Sequence, residues 1–380
     1  MKITVAIDSF KGSLSTFQAG EAARVGIKKA FPDAEVKICP LADGGEGTVS
    51  AIVSATGGEM QKISVTGPLG TPVVAEYGII RETNTAVVEM SAAAGITLVS
   101  PELRDPRKTT TYGVGEMIAD AINKGCREFI VGIGGSATND GGIGMLTALG
   151  FGFYDENGEP VSIYGEGLSK IRRIDVSGAM PQLSQCRFHI ACDVKNPLCG
   201  PMGCSAIYGP QKGATPEIVE TMDSWLADYA QLTKEVLPHV DRNFPGSGAA
   251  GGLGFAFMSY LGGTLESGIE LVMDATGLEE HIKASDIVIT GEGRLDGQSA
   301  MGKAPVGVAR MAKKFGKPVI AFAGCVTEDA VAVNSDGIDA FFPVLRAPVS
   351  LEVAMDVETA AKNLTATAEQ AMRLARAFMK

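Results

Sequence analysis

Residues 288–303 hold the most informative set of reactive side chains in this sequence. Glu292, Arg294, Asp296, Gln298 and Lys303 are interleaved there with Gly291, Gly293, Gly297 and Gly302. Two acids and two cations can neutralise a phosphate, hold a metal ion or take a proton. Glycines let backbone N–H groups approach an anion closely. The plainer alternative is a solvated loop closed by a charge pair. Other segments repeat the composition. Asp8-Ser9-Phe10-Lys11-Gly12-Ser13 puts a lysine one turn before a helix, a natural phosphate contact. Ser13 or Ser15 could equally serve as that helix's cap. Asp43-Gly44-Gly45-Glu46-Gly47-Thr48 sets two carboxylates three apart at a helix start, which suits a hydrated cation such as Mg2+ or a hydroxyl-bearing substrate. Complementation of the helix dipole would also explain the acids, but three glycines cost backbone entropy without helping a cap.

Residues 130–142 contain G-x-G-x-x-A (Gly132, Gly134, Ala137), with Asp155 about twenty residues on, close to a dinucleotide fingerprint. A helix should open inside such a fingerprint, and Thr138-Asn139-Asp140-Gly141-Gly142 makes a poor first turn. A phosphate- or hydroxyl-binding loop fits better, with Gly134, Gly135, Ser136, Asn139 and Asp140 as contacts. Residues 246–251 also match G-x-G-x-x-G but follow Asn243-Phe244-Pro245 rather than a strand, so they read as a glycine loop opening a helix at 252–261. Asp193 and Asn196 end another apolar run, and Lys212 sits in a turn, Gly209-Pro210-Gln211-Lys212-Gly213. There is no G-x-x-x-x-G-K-[ST] and no G-x-S-x-G. None of the three histidines, His189, His239 and His281, lies in a glycine loop. Acid–base work therefore falls to a carboxylate.

The elements that must position these loops alternate in short periods. Apolar runs at 3–7 and 36–41, with helices at 16–30 and 48–55, read as βαβ units with a parallel sheet. Near Gly58 the character changes. Residues 63–66 and 73–80 flank a turn-rich hairpin, followed by strands at 85–90, 128–134 and 187–194. After Gly263 the βαβ rhythm returns, with strands at 286–290, 318–324 and 340–345 and helices at 305–315 and 351–379. The expected fold is α/β in two domains: a discontinuous Rossmann-like parallel-sheet domain, residues 1–60 and 264–380, with a mixed α/β domain, 61–263, inserted into it. The active cleft is expected between them. In open α/β sheets ligands bind outside the carboxyl ends of the strands.

The 380 residues exceed the size of a usual single core. An apolar content of 45% and a charged content of 20% exclude disorder. A net charge of −11 disfavours a nucleic-acid or membrane partner as the main function, though not a phosphorylated small molecule. The seven cysteines form no C-x-x-C and fit a reducing cytosol. The first strand starts at once, so no signal peptide is expected. No apolar run reaches the length of a membrane helix. A cytoplasmic location is expected. The oligomeric state stays open, and a homo-oligomer is compatible with the sequence.

Taken together and in order, the loops at 8–13, 42–48, 132–142, 192–198, 209–213 and 289–296 resemble the bacterial glycerate kinases of the type-1 family. The resemblance runs from residue 1 to about residue 345. Ile7 departs from it, since the family more often has Pro before Asp-Ser. The resemblance implies ATP- and Mg2+-dependent phosphorylation of D-glycerate to 2-phosphoglycerate, in glyoxylate, glucarate and related carbon use, by two α/β domains, one inserted in the other. Phosphoryl transfer needs positioning and charge neutralisation more than covalent chemistry. Lys11, Arg294 and Lys303 are therefore expected on ATP phosphates or the glycerate carboxylate. Ser13, Gly134, Gly135, Ser136, Asn139 and Lys212 are expected as further phosphate or substrate contacts, with the backbone at 251–254 as a second cradle. Asp43, Glu46 and Glu292 are the Mg2+ candidates, and Asp193 or Asp296 the base. The rival readings are an NAD(P)-dependent hydroxy-acid dehydrogenase, resting on residues 132–137 and Asp155, and a non-catalytic sugar-acid sensor.

Overall fold

The computed structural model describes residues 1–297, Ser299 and 303–378; Gln298, singled out above, lies outside them. The chain runs β1 (Lys2–Ile7), α1 (Thr16–Ala30), β2 (Glu35–Ile38), α2 (Thr48–Thr56), β3 (Glu59–Thr66), β4 (Pro72–Ile80), β5 (Thr85–Glu89) and α3 (Ser91–Ala94). It continues through α4 (Tyr112–Asn123), β6 (Glu128–Gly132), α5 (Ile143–Ala148), β7 (Gly152–Tyr154), β8 (Arg173–Asp175), β9 (Arg187–Ala191), α6 (Cys204–Tyr208), α7 (Pro216–Val236) and α8 (Ala249–Leu261). The last part is β10 (Thr264–Glu266), α9 (Gly268–Ala275), α10 (Leu278–Lys283), β11 (Ile287–Leu295), α11 (Ala304–Lys314), β12 (Val319–Val326), β13 (Ala340–Pro343), α12 (Leu351–Met355) and α13 (Val357–Phe378). Two compact units result. The first comprises Met1–Asp43, Ser50–Thr56 and the chain from Val272 onward; the second comprises Gly44–Val49 and Gly57–Leu271. No helix among the described residues is long and apolar enough to cross a membrane.

The first unit is built on a parallel five-stranded sheet, in the order β13-β12-β11-β1-β2. The chain leaves β1 toward β2 on one side and resumes with β11 on the other. The β1/β11 boundary is therefore the topological switch point, where the loops diverge and leave a crevice. The apolar alternation of β1 and β11 feeds a core of Ile3, Val5, Ile7, Ile27, Ile289 and Leu364. Helix α1 starts where the sequence signals it: Ser15 accepts from the Gln18 N–H and Gln18 returns the bond, a complete capping box. Helices α1 and α13 pack together at Gly26, where an added Cβ would stand 2.2 Å from the Thr365 carbonyl oxygen.

Three boundaries differ from the sequence reading. Strand β11 does not end at Thr290 but continues to Leu295, so Glu292 and Arg294 stand on a strand, paired with Ala323 and Cys325 of β12. Gly291 belongs to this close pairing rather than to a loop, since a Cβ there would lie 2.1 Å from the Phe322 carbonyl oxygen. Strand β2 stops at Ile38, because beyond it the backbone turns to Thr16, whose Oγ1 accepts the Leu41 N–H at 2.9 Å. The helix expected over 351–379 is two helices. Asp356 sits extended between them and its carboxylate caps Thr359 at 2.8 Å.

The second unit holds a six-stranded sheet, β10-β9-β6-β5-β4-β3, antiparallel from β3 to β5 and parallel from β5 to β10. A small β7-β8 hairpin accompanies it. Helix α8 begins with a left-handed kink at Ala250, Gly251 and Gly252 before running regularly to Leu261.

The Gly26 contact gives a direct test of the α1–α13 packing. Gly26→Ala should lower stability by about 1–3 kcal/mol, the usual cost of overpacking, read as a lower urea midpoint. An unchanged midpoint would mean the two helices are not in this contact.

Candidate active site

The parallel sheet of the first unit delivers its loops to one edge, and a cavity of about 500 Å3 opens there. That volume suits a metabolite the size of a nucleotide. Its polar half combines Asp8 at the end of β1, Lys11 and Ser13 in the following loop, Asp43 after β2, and Glu292, Arg294, Asp296 and Lys303 on or after β11. The β1/β11 pairing fixes the centre of this set. Ile7 is in register with Gly291, and the Asp8 N–H donates to the Gly291 carbonyl at 2.9 Å. Gly293 lets the Asp8–Ser13 loop lie against the strand, since a Cβ there would be 3.2 Å from Phe10 Cα.

The carboxylates at this edge are under electrostatic pressure. Glu292 is buried, accepts a short hydrogen bond from the Ser299 hydroxyl, and has its pKa pushed from 4.5 to about 7. Burial is the main cause, and Asp8 and Asp296 add repulsion while Ser299 and Lys303 oppose it. Asp8 is raised to about 6, first by burial and then by Asp43. Cations answer only part of this charge. Lys11 Nζ lies 3.5 Å from Asp43, and Asp296 is 3.3 Å from Arg294 Nε and 3.8 Å from Lys303 Nζ. All three basic side chains are substantially solvent-exposed, so these pairs hold little energy. Ser13 Oγ is buried with no hydrogen-bond partner among the described residues, while Ser15 does the capping. Of the two serines offered as caps, Ser15 is the one that caps α1.

The remaining candidates lie in the second unit. The 134–136 loop follows β6, and α5 begins only at Ile143. Among the described residues the Gly134, Gly135 and Ser136 N–H groups have no acceptor, and both glycines are exposed. Three free N–H groups in one turn suit an anion. Lys212 is not at the surface. It is buried beneath this loop, donating to Ser136 Oγ at 2.7 Å and the Thr138 carbonyl at 2.6 Å, and burial lowers its pKa to about 8. Asn139 is buried too and donates to Ser205 Oγ at 2.8 Å. Asp140 is wholly enclosed and accepts from Thr111, Gly142 and Gly144. These three shape the loop from within. Asp193 is exposed at the end of β9 and accepts from the Gly268 N–H at 3.1 Å. Glu46 is exposed in the 44–47 loop that leads into α2, where the Val49 N–H donates to Glu89 at 2.8 Å.

Two sequence readings need correction. The backbone at 251–254 is no open cradle: it is buried, and a Cβ at Gly251 would stand 2.1 Å from the Thr138 carbonyl. The dinucleotide fingerprint has no support either. Residues 133–142 form no helix start, and Asp155 closes its own turn by accepting from Asn157 and Glu159. Asp8 joins the site as well, a carboxylate signalled in the sequence only by its place at the end of the first strand. Among the described residues no three His, Cys, Asp or Glu side chains are gathered as a ready metal cage.

The crowding at Glu292 has a consequence for stability. A carboxyl whose folded pKa lies above its unfolded value stabilises most below the unfolded value, and that stability is lost as pH rises through the folded one. Glu292 thus costs the ligand-free protein on the order of 3 kcal/mol between pH 4.5 and about 7. Glu292→Gln should raise thermal stability at pH 8 by about 1–3 kcal/mol and change it little at pH 5. A variant no more stable at pH 8 than at pH 5, relative to the parent, would contradict this geometry.

The chain's relatives agree with one another. A sequence model of the glycerate kinase family matches residues 3–376. The glycerate 2-kinase of Escherichia coli strain K12 is 48% identical over 379 residues, covering 98% of this chain and 99% of that protein. A glycerate kinase of Bacillus subtilis strain 168 is 46% identical, covering 97% and 96% of the two chains. A crystal structure of a Salmonella typhimurium LT2 protein assigned as glycerate kinase 2 superposes with a TM-score of 0.91 at 46% identity, covering 99% of this chain and 98% of that one. The chain belongs to the glycerate kinase family.

Proposed function

We propose that this enzyme transfers the γ-phosphoryl group of ATP to the 2-hydroxyl of D-glycerate, with Mg2+, giving 2-phosphoglycerate and ADP. The observation that carries the reading is the cavity at the carboxyl edge of the first unit, where Asp8, Asp43, Glu292 and Asp296 meet Lys11, Arg294 and Lys303. Support for glycerate as the acceptor comes from the family, and support for the 2-position from the relative named glycerate 2-kinase at 48% identity.

In this mechanism Lys11, Arg294 and Lys303 neutralise the donor's phosphates. Their exposure leaves them free to swing onto a ligand. Ser13 Oγ, which has no hydrogen-bond partner among the described residues, supplies one more hydrogen bond to a phosphate oxygen. Mg2+ is a fit for the donor set, because it needs one or two carboxylates and completes its shell with water and phosphate oxygens. Asp43 and Glu292 would hold it, and the raised carboxyls of Glu292 and Asp8 mark where positive charge is wanted. Glu46 completes the acids read from the sequence, though two suffice. Once bound, the ion neutralises charge that builds on the transferred group. The open N–H groups of Gly134, Gly135 and Ser136 are assigned to an anionic group of the substrate, with Lys212 and Asn139 positioning the loop. Asp296 or Asp193 takes the proton from the glycerate hydroxyl.

Two measurements test this. Incubation with ATP, Mg2+ and D-glycerate, followed by ³¹P NMR, should show 2-phosphoglycerate. A 3-phosphoglycerate signal would overturn the position of transfer, and no glycerate-dependent ADP would overturn the reaction. Of the variants Asp193→Asn and Asp296→Asn, the one that removes the base should lose about 10²–10⁴-fold in kcat. If both stay folded and keep the parental kcat, neither carboxylate is the base.

A further inference from the structure

The cavity of the first unit is not charged throughout. Part of its lining is apolar: Phe10, Val344, Leu345, Leu351, Ala354 and Met355 contribute to it. Catalysis on glycerate and phosphate makes no use of such a surface, since both are small and fully polar. Phe10 belongs to the loop after β1, and the other five come from the segment after β13 and from α12. Met355 anchors α12 against the Asp8–Ser13 loop: its methyl stands 2.7 Å from where a Cβ on Gly12 would be, and Gly12 has φ +79°, which only glycine adopts without strain. Apolar wall and charged edge are thereby joined in one cavity of about 500 Å3. One polar side chain stands in the apolar half. Asn363, on α13 between Ala360 and Leu364, lines the cavity, is partly buried, and its carboxamide makes no hydrogen bond within the described residues.

Resting on the ATP reading above, we propose that this half of the cavity is the base subsite of the nucleotide, where Met355 packs on the ring and Asn363 reads the edge of adenine. A carboxamide offers one donor group and one acceptor. Adenine matches it with its N6 amino group and N7, whereas guanine shows two acceptors, O6 and N7, on the same edge. Asn363 is therefore a specificity residue as well as a contact, and favours ATP over GTP. Met355 suits the ring face because its unbranched, polarisable side chain adapts to a flat partner. The phosphates then run from this wall toward Lys11, Arg294 and Lys303.

The test uses the full chain and two substitutions, Asn363→Ala and Met355→Ala, each checked for parental thermal stability. Asn363→Ala should raise KM for ATP roughly tenfold and shrink the ATP-over-GTP ratio of kcat/KM by a similar factor. KM for D-glycerate and the affinity for inorganic tripolyphosphate should stay at parental values, because neither involves the base. Met355→Ala should raise KM for both nucleotides together. If parental enzyme turns over ATP with glycerate while Asn363→Ala keeps both its KM for ATP and its nucleotide preference, the base assignment falls and the kinase reading stands. If tripolyphosphate binding weakens along with ATP, the residue supports the phosphate end and the proposal also falls. A parental enzyme that releases no glycerate-dependent ADP removes the kinase reading and the base subsite with it.

Discussion

Burial of like charge at one edge of a parallel sheet is the constraint on which the first unit turns. The β1/β11 ladder ends at Ile7 and Gly291, so Asp8 and Glu292 each follow directly after it on neighbouring segments. Both carboxyls are pushed toward neutrality by burial and by one another's neighbours. Buried acids are retained at such cost mainly where a ligand relieves it. The surrounding features follow from the same need. Glycines at 291 and 293 allow the close strand and loop approach, and flexible cations stand at the rim rather than locked against the acids.

The second unit solves a different problem with the same sheet grammar. Its parallel strands end in a loop whose outer face keeps three N–H groups free, and whose inner face is fixed by buried polar residues. Lys212 illustrates the division of labour. Its ammonium is enclosed at the loop's base and held there by Ser136 and Thr138. Its desolvation lowers its pKa, yet two hydrogen bonds to the loop keep it in place. Asp140 does the same by gathering the N–H groups of Thr111, Gly142 and Gly144.

Much of this was legible in the residues. The helix over 16–30 was signalled by the βαβ alternation and by a serine cap at Ser13 or Ser15, and the hairpin by the turn at 67–72. The reactive loops were visible because glycine and charge cluster there. What failed was local information about long-range pairing. Glycines 291 and 293 look like a loop until β12 is placed beside them, so the extent of β11 could not be seen. Lys212 and Asn139 look like surface contacts until the fold encloses them. Asp356 breaks the last helix through a capping bond that the apolar spacing on either side conceals. Asn363 sits in an unremarkable helical stretch, and only the tertiary fold turns its amide toward a cavity.

The central claim is that the nucleotide occupies the cavity at the carboxyl edge of the first unit. Cys325 reports on it directly, as a free, exposed thiol that lines this cavity. The rate of its alkylation by iodoacetamide, followed by mass spectrometry with Cys186 as an internal reference, is the measurement to make. Saturating Mg2+ and ATP should protect Cys325 strongly and leave Cys186 unchanged. Equal labelling of Cys325 with and without nucleotide, under conditions where binding is shown independently, would place the nucleotide elsewhere and contradict the account.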